Sequence, residues 1–598
     1  MNPMNNLSKV ALSLCYGIMI YVAFIFYPKW EKSNTEATLS WDASGYYMYL
    51  PAFFIYNDAK SLHFKDGILE KYKPTPDFQQ GYLDPKSGNY VFKYSSGQAL
   101  TMSPFFFLGH LWAKNSSIYP PDGFSYPYQI CIGIGMLLYA FLGLFFLRKV
   151  LLHFYKDSTV ALVLIAYVVG SNYLNYGAID QALTHNTLFT IYTLVIYATI
   201  QFYTSPTLLK AATIGLLTGL ATLIRPTDIV SILIPLCWNI SSIRDITDRW
   251  RFVVKHFKII LIAPVAFIVV ASLQLIYWKY ATGSWLVYSY QNQGFSWLHP
   301  HIKAYTFSYR CGWLLYCPMM ILPFVGIMPY LWARKNLLAI LGVFALNFYI
   351  VTAWDIWDYG GTAGRAMIQS YPVLAFPLAT LIESINNKTY LRLIFYPIFT
   401  LFIYLNIWWL YNVHGGKVQV NEISKAYYWS VVGRWSADEF DTKLLDCEYT
   451  YRGYPNTYDV IYENNFENDT SSNVLKEENN ISIVLNANKQ FTTEYTINKP
   501  TQIKQWLRLS ADFTCLLKEW NIWQQTQFKL AFYNNNTEVQ SSIIKPHRFL
   551  NNGEHKNLFL DTKAPTKDWN KLGISAWNAD GKETLIIDNL KLITFNEQ

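Results

Sequence analysis

Charge is what this sequence has least of. Lys, Arg, Asp and Glu make up 15% of its 598 residues, against about a quarter in ordinary soluble domains. A chain this long with so few charges cannot clothe a fully water-facing surface. A Gly-rich phosphate loop is missing too, as is any soluble strand–helix–strand region to carry one, which excludes the familiar nucleotide-binding domains. The seven cysteines show no metal-ligand spacing. Cys15, Cys131 and Cys237 lie in apolar runs as small core residues, whereas Cys311 with Cys317, or Cys447 with Cys515, are pairs that an oxidising compartment would permit. No small-x-small cleavage site follows the first apolar run, so residues 9–27 are expected to stay as an anchor. Repeats and low-complexity linkers are also absent.

What is present is hydrophobic, at 52% of residues, and aromatic, at 18%. The apolar residues come as runs of about 17 to 20, the length that crosses about 30 Å of hydrocarbon as a helix. This is the pattern of a polytopic α-helical membrane protein. The net charge of +8 calls for no nucleic-acid partner, because Lys and Arg gather in short loops such as Arg148–Lys149 and Arg334–Lys335, where cytoplasmic loops carry them.

Placing those loops inside gives eleven expected spans. The first is 9–27, followed by a large extracytoplasmic loop at 28–127. Within it, residues 98–113 are apolar but short and carry Pro104, which reads as an interfacial helix. Further spans are 128–147, 158–174 and one ending near Lys210; two short helices then cover 211–240 with Arg225 at their outer turn. The rest are 259–278, 313–332, 336–352, 367–384 and 392–411. An odd count leaves the C-terminal region outside. Residues 1–411 thus form the transmembrane domain and 412–457 an interfacial connector.

Residues 458–598 are polar, Asn-rich and alternating. Pieces such as 460–466, 481–485, 527–533, 572–577 and 584–594 read as strands of a β-sandwich or jelly roll. Trp520, Trp523 and Trp577 either line a glycan face or fill its core.

The chemistry gathers on one expected side. Asp42 stands in L-S-W-D-A-S-G-Y-Y-M-Y-L-P among Trp41, Tyr46 and Tyr47. A carboxylate among flat rings is suited to activating a sugar hydroxyl while the rings stack on the sugar's C–H faces. Asp180, His185, Lys303, Arg310, Asp355, Asp358 and Arg365 share that side, as do Trp354 and Trp357. Acids beside cations at a membrane suit transfer of a group whose leaving group is a lipid phosphate. Bland roles compete: His185 capping a helix, Arg225 snorkelling to the interface, the tryptophans forming an interfacial belt. A lipid-linked glycan transporter is the rival function.

Several pieces in order resemble the GT-C superfamily of polytopic glycosyltransferases, in the bacterial branch similar to lipid-A aminoarabinose transferases and protein O-mannosyltransferases. They are Asp42 with Tyr46–Tyr47 and Leu50–Pro51, Gly97-Gln98-Ala99-Leu100 with Pro104, and Asp180 five residues before His185. Further on come the stretch from Gly215 to Pro226, Phe307-Ser308-Tyr309-Arg310-Cys311-Gly312-Trp313, and Trp354, Trp357, Gly360, Gly361, Gly364 and Arg365. The resemblance implies an inverting transferase of the bacterial inner membrane. It would move a sugar from a polyprenyl-phosphate donor to a hydroxyl of a glycan, lipid or protein. Asp42 would be the general base, and Arg365, Arg310 and Lys303 would hold the phosphate. Asp180 and His185 would serve acceptor or metal, and Trp41, Tyr46, Tyr47, Trp354 and Trp357 would stack on sugar. A divalent metal is left open, since only some branches use one. Ala43 follows Asp42, so the Asp–Glu pair of protein O-mannosyltransferases is absent. The C-terminal domain in turn resembles carbohydrate-binding jelly rolls, in some of which acids near both ends, here Glu467 and Asp588, share a structural Ca²⁺.

Overall fold

The computed structural model describes residues 6–333, 336–358, 364–420, 422–467, 474–477, 480–516, 526–579 and 584–597. Gly360, Gly361, Arg334, Lys335, Trp520 and Trp523 therefore lie outside the described residues. The chain divides into two compact units, Met1–His414 and Gly415–Gln598.

The first unit is helical. Six of its described helices, beginning at Leu7, Tyr126, Thr184, Phe257, Arg365 and Thr389, are long and apolar enough to cross a membrane, so the chain is a multi-pass membrane protein. Five shorter apolar helices, Asp157–Val168, Leu208–Ile224, Pro226–Cys237, Pro318–Trp332 and Leu337–Ala353, stand where the sequence places the other spans. At 1.5 Å per residue each is shorter than the hydrocarbon core is thick. The break expected near Arg225 is real: Arg225 is extended (φ −142°, ψ 122°) and caps Leu208–Ile224, and Pro226, which cannot donate a backbone bond, opens a 3₁₀ turn after it.

Residues 28–127 fold against the helices. Two short helices, Trp41–Tyr47 and Tyr49–Phe54, are followed by Lys65–Tyr72 and a two-stranded hairpin of β1 (Gly81–Leu83) and β2 (Tyr90–Phe92). The helix expected at 98–113 runs Gly97–Lys114. It buries Met102, Phe106, Gly109 and Ala113 against the protein and leaves Leu100, Phe107, Leu108 and Leu111 exposed on the other side. Leu39, Tyr47, Met48, Tyr49, Leu50, Ile132, Met136 and Tyr277 form the core that fixes this loop to the bundle.

The second unit is a two-sheet antiparallel sandwich. Its strands are β3 (Asp459–Asn464), β4 (Val474–Glu477), β5 (Asn480–Leu485), β6 (Tyr495–Asn498), β7 (Trp506–Cys515), β8 (Gln527–Asn534), β9 (Thr537–Ile544), β10 (His555–Thr562), β11 (Lys571–Trp577) and β12 (Leu585–Phe595). One sheet runs β10-β7-β12-β5-β4 with β3 also on β12; the other runs β6-β11-β8-β9. The opening and closing strands pair, Asn464 opposite Leu590. Alternate residues Leu507, Leu509, Ala511 and Phe513 of β7 meet Phe528, Leu530 and Phe532 of β8 in the core. Trp577 stacks flat on Phe491 with centroids 5.6 Å apart.

Two readings are revised. All seven cysteines are unbonded; Cys447 instead faces the Ile543 carbonyl at 2.9 Å, and Cys311 the Trp357 carbonyl. Residues 415–457, read as part of a connector, belong with the sandwich unit: they carry two capped helices, Lys425–Val431 and Glu439–Lys443, and bury Tyr427, Val431, Leu445 and Cys447.

Candidate functional site

Asp42 sits in the first turn of Trp41–Tyr47, a helix entered through an unusual backbone. Trp41 has φ +48°, a left-handed conformation that a bulky aromatic residue adopts only when its surroundings force it. In this conformation the Trp41 N–H donates to the Pro74 carbonyl at 3.0 Å. The turn aims the carboxylate at two donors. Arg365 Nη2 lies 2.8 Å from Asp42 Oδ2, and the Tyr94 hydroxyl donates to Oδ1 at 2.8 Å. The two residues of the ion pair are 323 positions apart in the chain. The Asp42 side chain keeps 32% of its surface open, and that of Arg365 13%.

Elements far apart in sequence converge here through close backbone approaches. Arg365 opens a 3₁₀ turn after Gly364, whose φ of +69° strongly favours glycine. Tyr94 lies over Gly45, where an added Cβ would come within 2.5 Å of its ring. Gly97 abuts the backbone of Ile224, where an added Cβ would stand 2.3 Å from the Ile224 nitrogen. That contact brings the 93–97 segment against the residue preceding Arg225. Arg225 Nη2 in turn lies 3.4 Å from His185 Nε2. Lys93, Arg225 and Arg365 all lie within electrostatic reach of Asp42.

The balance of charge sets the protonation of the site. Burial pushes the Asp42 carboxyl up, but the Arg365 guanidinium, the Tyr94 hydrogen bond, Lys93 and Arg225 outweigh it and hold it below the usual carboxylate range. Burial lowers Lys93, and Asp42 offsets part of that. Tyr94 is pushed well up by burial and by the Asp42 charge, so it stays a hydrogen-bond donor. An ionised carboxylate beside a guanidinium, next to the packed rings of Tyr46 and Tyr94 with centroids 4.4 Å apart, can take a proton and hold an anion.

The other candidates separate into groups. Asp180 is ion-paired with Lys29 and accepts from Asn175 at 2.9 Å, while His414 contacts Asn175 at 2.6 Å. Burial raises the Asp180 carboxyl, and Lys29, His414 and the Asn175 hydrogen bond together more than compensate, leaving it low. Arg310 is engaged by Asp358 at 3.0 Å, and Lys303 is exposed on the short helix Ile302–Phe307. Asp355 accepts from Ser296 at 2.7 Å. Trp354 packs on Phe295 and Tyr290, and Trp357 lies against His301. Tyr47 is fully buried, and its hydroxyl donates to the Gly123 carbonyl at 2.6 Å. Trp41 is 37% exposed beside Asp42.

Among the described residues no three of His, Cys, Asp and Glu cluster as metal ligands. Asp180 and His185 each face a cation, Lys29 and Arg225, which fits a second cation between them poorly. In the sandwich, Glu467 accepts from the Ile481 N–H at 3.3 Å and Asp588 from the Asn589 N–H at 2.7 Å. Tyr94, Lys93 and Arg225 are the residues of the site that sequence reasoning missed. The available signal was position: Tyr94 stands three residues ahead of Gly97, and Arg225 stands at a helix-breaking proline.

No protein-family model matches the chain, and no curated protein does. Among solved structures it aligns with the arabinosyltransferase EmbB from Mycobacterium smegmatis, determined by single-particle cryo-EM, at 10% identity and a TM-score of 0.37. The alignment covers 98% of this chain and spans 64% of the EmbB chain.

Proposed function

We propose that the protein is a GT-C-type glycosyltransferase that moves a sugar from a polyprenyl-phosphate donor to a hydroxyl acceptor. The reaction would run on the extracytoplasmic face of a bacterial inner membrane, with the sandwich unit on the same side. The acceptor oxygen attacks the anomeric carbon from the face opposite the phosphate and inverts it. The bond from that carbon to the phosphate oxygen breaks, its electron pair leaves with the phosphate, and the acceptor proton passes to Asp42. Arg365 holds the phosphate as its negative charge grows. A carboxylate held low is a weak base, so the proton transfers late, when the new bond has already made the hydroxyl acidic.

The observation that carries this reading is the 2.8 Å pairing of a partly exposed Asp42 with Arg365, beside the packed rings of Tyr46 and Tyr94. In-line displacement sets base and phosphate on opposite faces of one sugar carbon, so this pair has to part for the sugar to enter between the two groups. Purified protein given a polyprenyl-phosphate sugar should release polyprenyl phosphate. Asp42→Asn, of equal size, should cut that release by about a hundred- to ten-thousandfold with expression unchanged, the range general-base groups contribute. An Asn variant that turns over at the parent rate sinks the mechanism.

A transporter for lipid-linked glycans is the second reading. Buried His185 and Asp228 within apolar helices favour it, because carriers need a polar path through the bilayer. A transporter would leave the donor's sugar–phosphate bond intact.

A further inference from the structure

Arg225 has the geometry of a second anion-holding group, and the chain has been shaped to deliver it. The helix Leu208–Ile224 stops at its extended backbone, and the Gly97–Ile224 contact sets this corner against the segment that carries Lys93 and Tyr94. On its other side, Nη2 meets His185 Nε2 at 3.4 Å. A guanidinium has no acceptor, so the ring nitrogen that faces it must accept, which places the imidazole hydrogen on Nδ1. His185 is 1% exposed, and its Nδ1 has no hydrogen-bond partner among the described residues. A buried N–H without an acceptor is costly, and an oxygen of a bound ligand would satisfy it.

Charge points to the same ligand. Lys93, Arg225 and Arg365 all act electrostatically on Asp42, while Asp228, also within reach of Arg225, is buried and accepts from the Tyr192 hydroxyl at 2.8 Å. Among the described residues these three cations face two acids, a surplus of positive charge. A phosphodiester donor carries one negative charge, and the monoester that departs carries up to two. A surplus of cations therefore favours the departing group over the donor, which is what accelerates the step.

We propose that Arg225 is a second guanidinium of the phosphate site, acting with Arg365 on the phosphate that leaves, and that His185 is the positioning residue that aims it. This inference rests on the lipid-phosphate reading above. It gives Arg225 the place that sequence expectation gave to Arg310, which is occupied by Asp358.

The test is equilibrium binding by purified full-length protein in detergent, with undecaprenyl phosphate in one arm and inorganic phosphate in the other. Thermal unfolding of every variant is followed in parallel. Arg225→Gln should weaken undecaprenyl phosphate by about tenfold or more, the scale of one charge-assisted hydrogen bond. Arg225→Lys, which keeps the charge but loses the fork, should fall between. His185→Phe should weaken binding, while His185→Gln, whose side-chain oxygen still accepts from Arg225, should restore much of it. A weakening in both arms assigns the phosphate group itself, and in the lipid arm alone the lipid-borne phosphate; each supports the proposal. Asp42→Asn, which removes the acid paired with Arg365, should bind undecaprenyl phosphate more tightly than the parent while losing turnover. Arg225 variants that stay folded and bind as tightly as the parent overturn the proposal and leave the lipid-phosphate reading standing. A parent that binds neither probe overturns both.

Discussion

Asp42 is pulled toward the proton by burial and away from it by four neighbours, of which Arg365 is the strongest and Tyr94 the one that can be removed most cleanly. A carboxyl whose native pKa lies below its unfolded value contributes stability above the ordinary carboxylate range, and loses it as pH falls through the depressed value. The same sign applies to activity, since only the ionised form accepts a proton. In the parent, kcat/KM should stay level as pH is lowered until it passes below the usual carboxylate range near 4. Tyr94→Phe keeps the ring over Gly45 and removes only the hydroxyl. Its acid limb should therefore move upward, by about one pH unit or less, the scale of one hydrogen bond. A limb that stays put or moves down would show that Asp42 is not the titrating base. Asp42 and Arg365 were legible because each stands in a recognisable local stretch. Tyr94 was not, because one tyrosine among 46 gains meaning only from the fold that sets it on a carboxylate 52 positions away.

At the scale of elements, the site depends on places where a backbone must come close. Gly97→Ala sets a Cβ against the backbone at Leu223 and Ile224, atoms that cannot rotate aside. Such overpacking costs about 1–3 kcal/mol. It should lower the thermal midpoint by several degrees and reduce turnover, because the Arg225 corner must shift. Gly17→Ala is the control: nothing lies within 4 Å of its added Cβ, it sits inside the helix Leu7–Tyr21, and alanine there should be neutral or slightly stabilising. If both variants melt alike, the close approach does not hold the site together. Elements with their own periodic signal were readable. The helix expected at 98–113 is Gly97–Lys114, and the strand pieces at 481–485, 527–533 and 572–577 match β5, β8 and β11 to within one residue. The connector was misread because Tyr427, Tyr428 and Trp429 look like an interfacial belt, and only packing shows two of the three to be buried. Arg310 looked available because nothing in sequence announces that Asp358 would reach it.

For the molecule as a whole, the two units pose separate folding problems, and the second has its own core. Leu507, Leu509, Phe513, Phe528, Leu530, Phe532, Leu560, Leu572 and Leu592 are fully or almost fully buried between its two sheets. Arg508 and Asp561 form a buried ion pair at 2.7 Å between β7 and β10. Residues 415–598 expressed alone should thus unfold in one cooperative transition, whereas the apolar first unit requires a bilayer or detergent. The pH dependence of that transition has a defined sign. Burial, helped by Arg548 and Lys545, lowers His547 to about 4. Between pH 4 and its ordinary value near 6.5 the unfolded chain binds the extra proton, so this residue's contribution destabilises the fold as pH drops through that window. Asp446, pushed up by burial against Arg548, acts in the opposite direction, since its native carboxyl holds a proton more readily than the unfolded one. The difference between parent and His547→Gln isolates the histidine. The parent midpoint should fall relative to the variant by a few degrees, about what 1 kcal/mol shifts in a domain of this size, as pH goes from 6.5 to 4. A gap that stays constant with pH would mean that His547 is protonated as easily in the fold as outside it, and that its enclosure beside Arg548 is wrong.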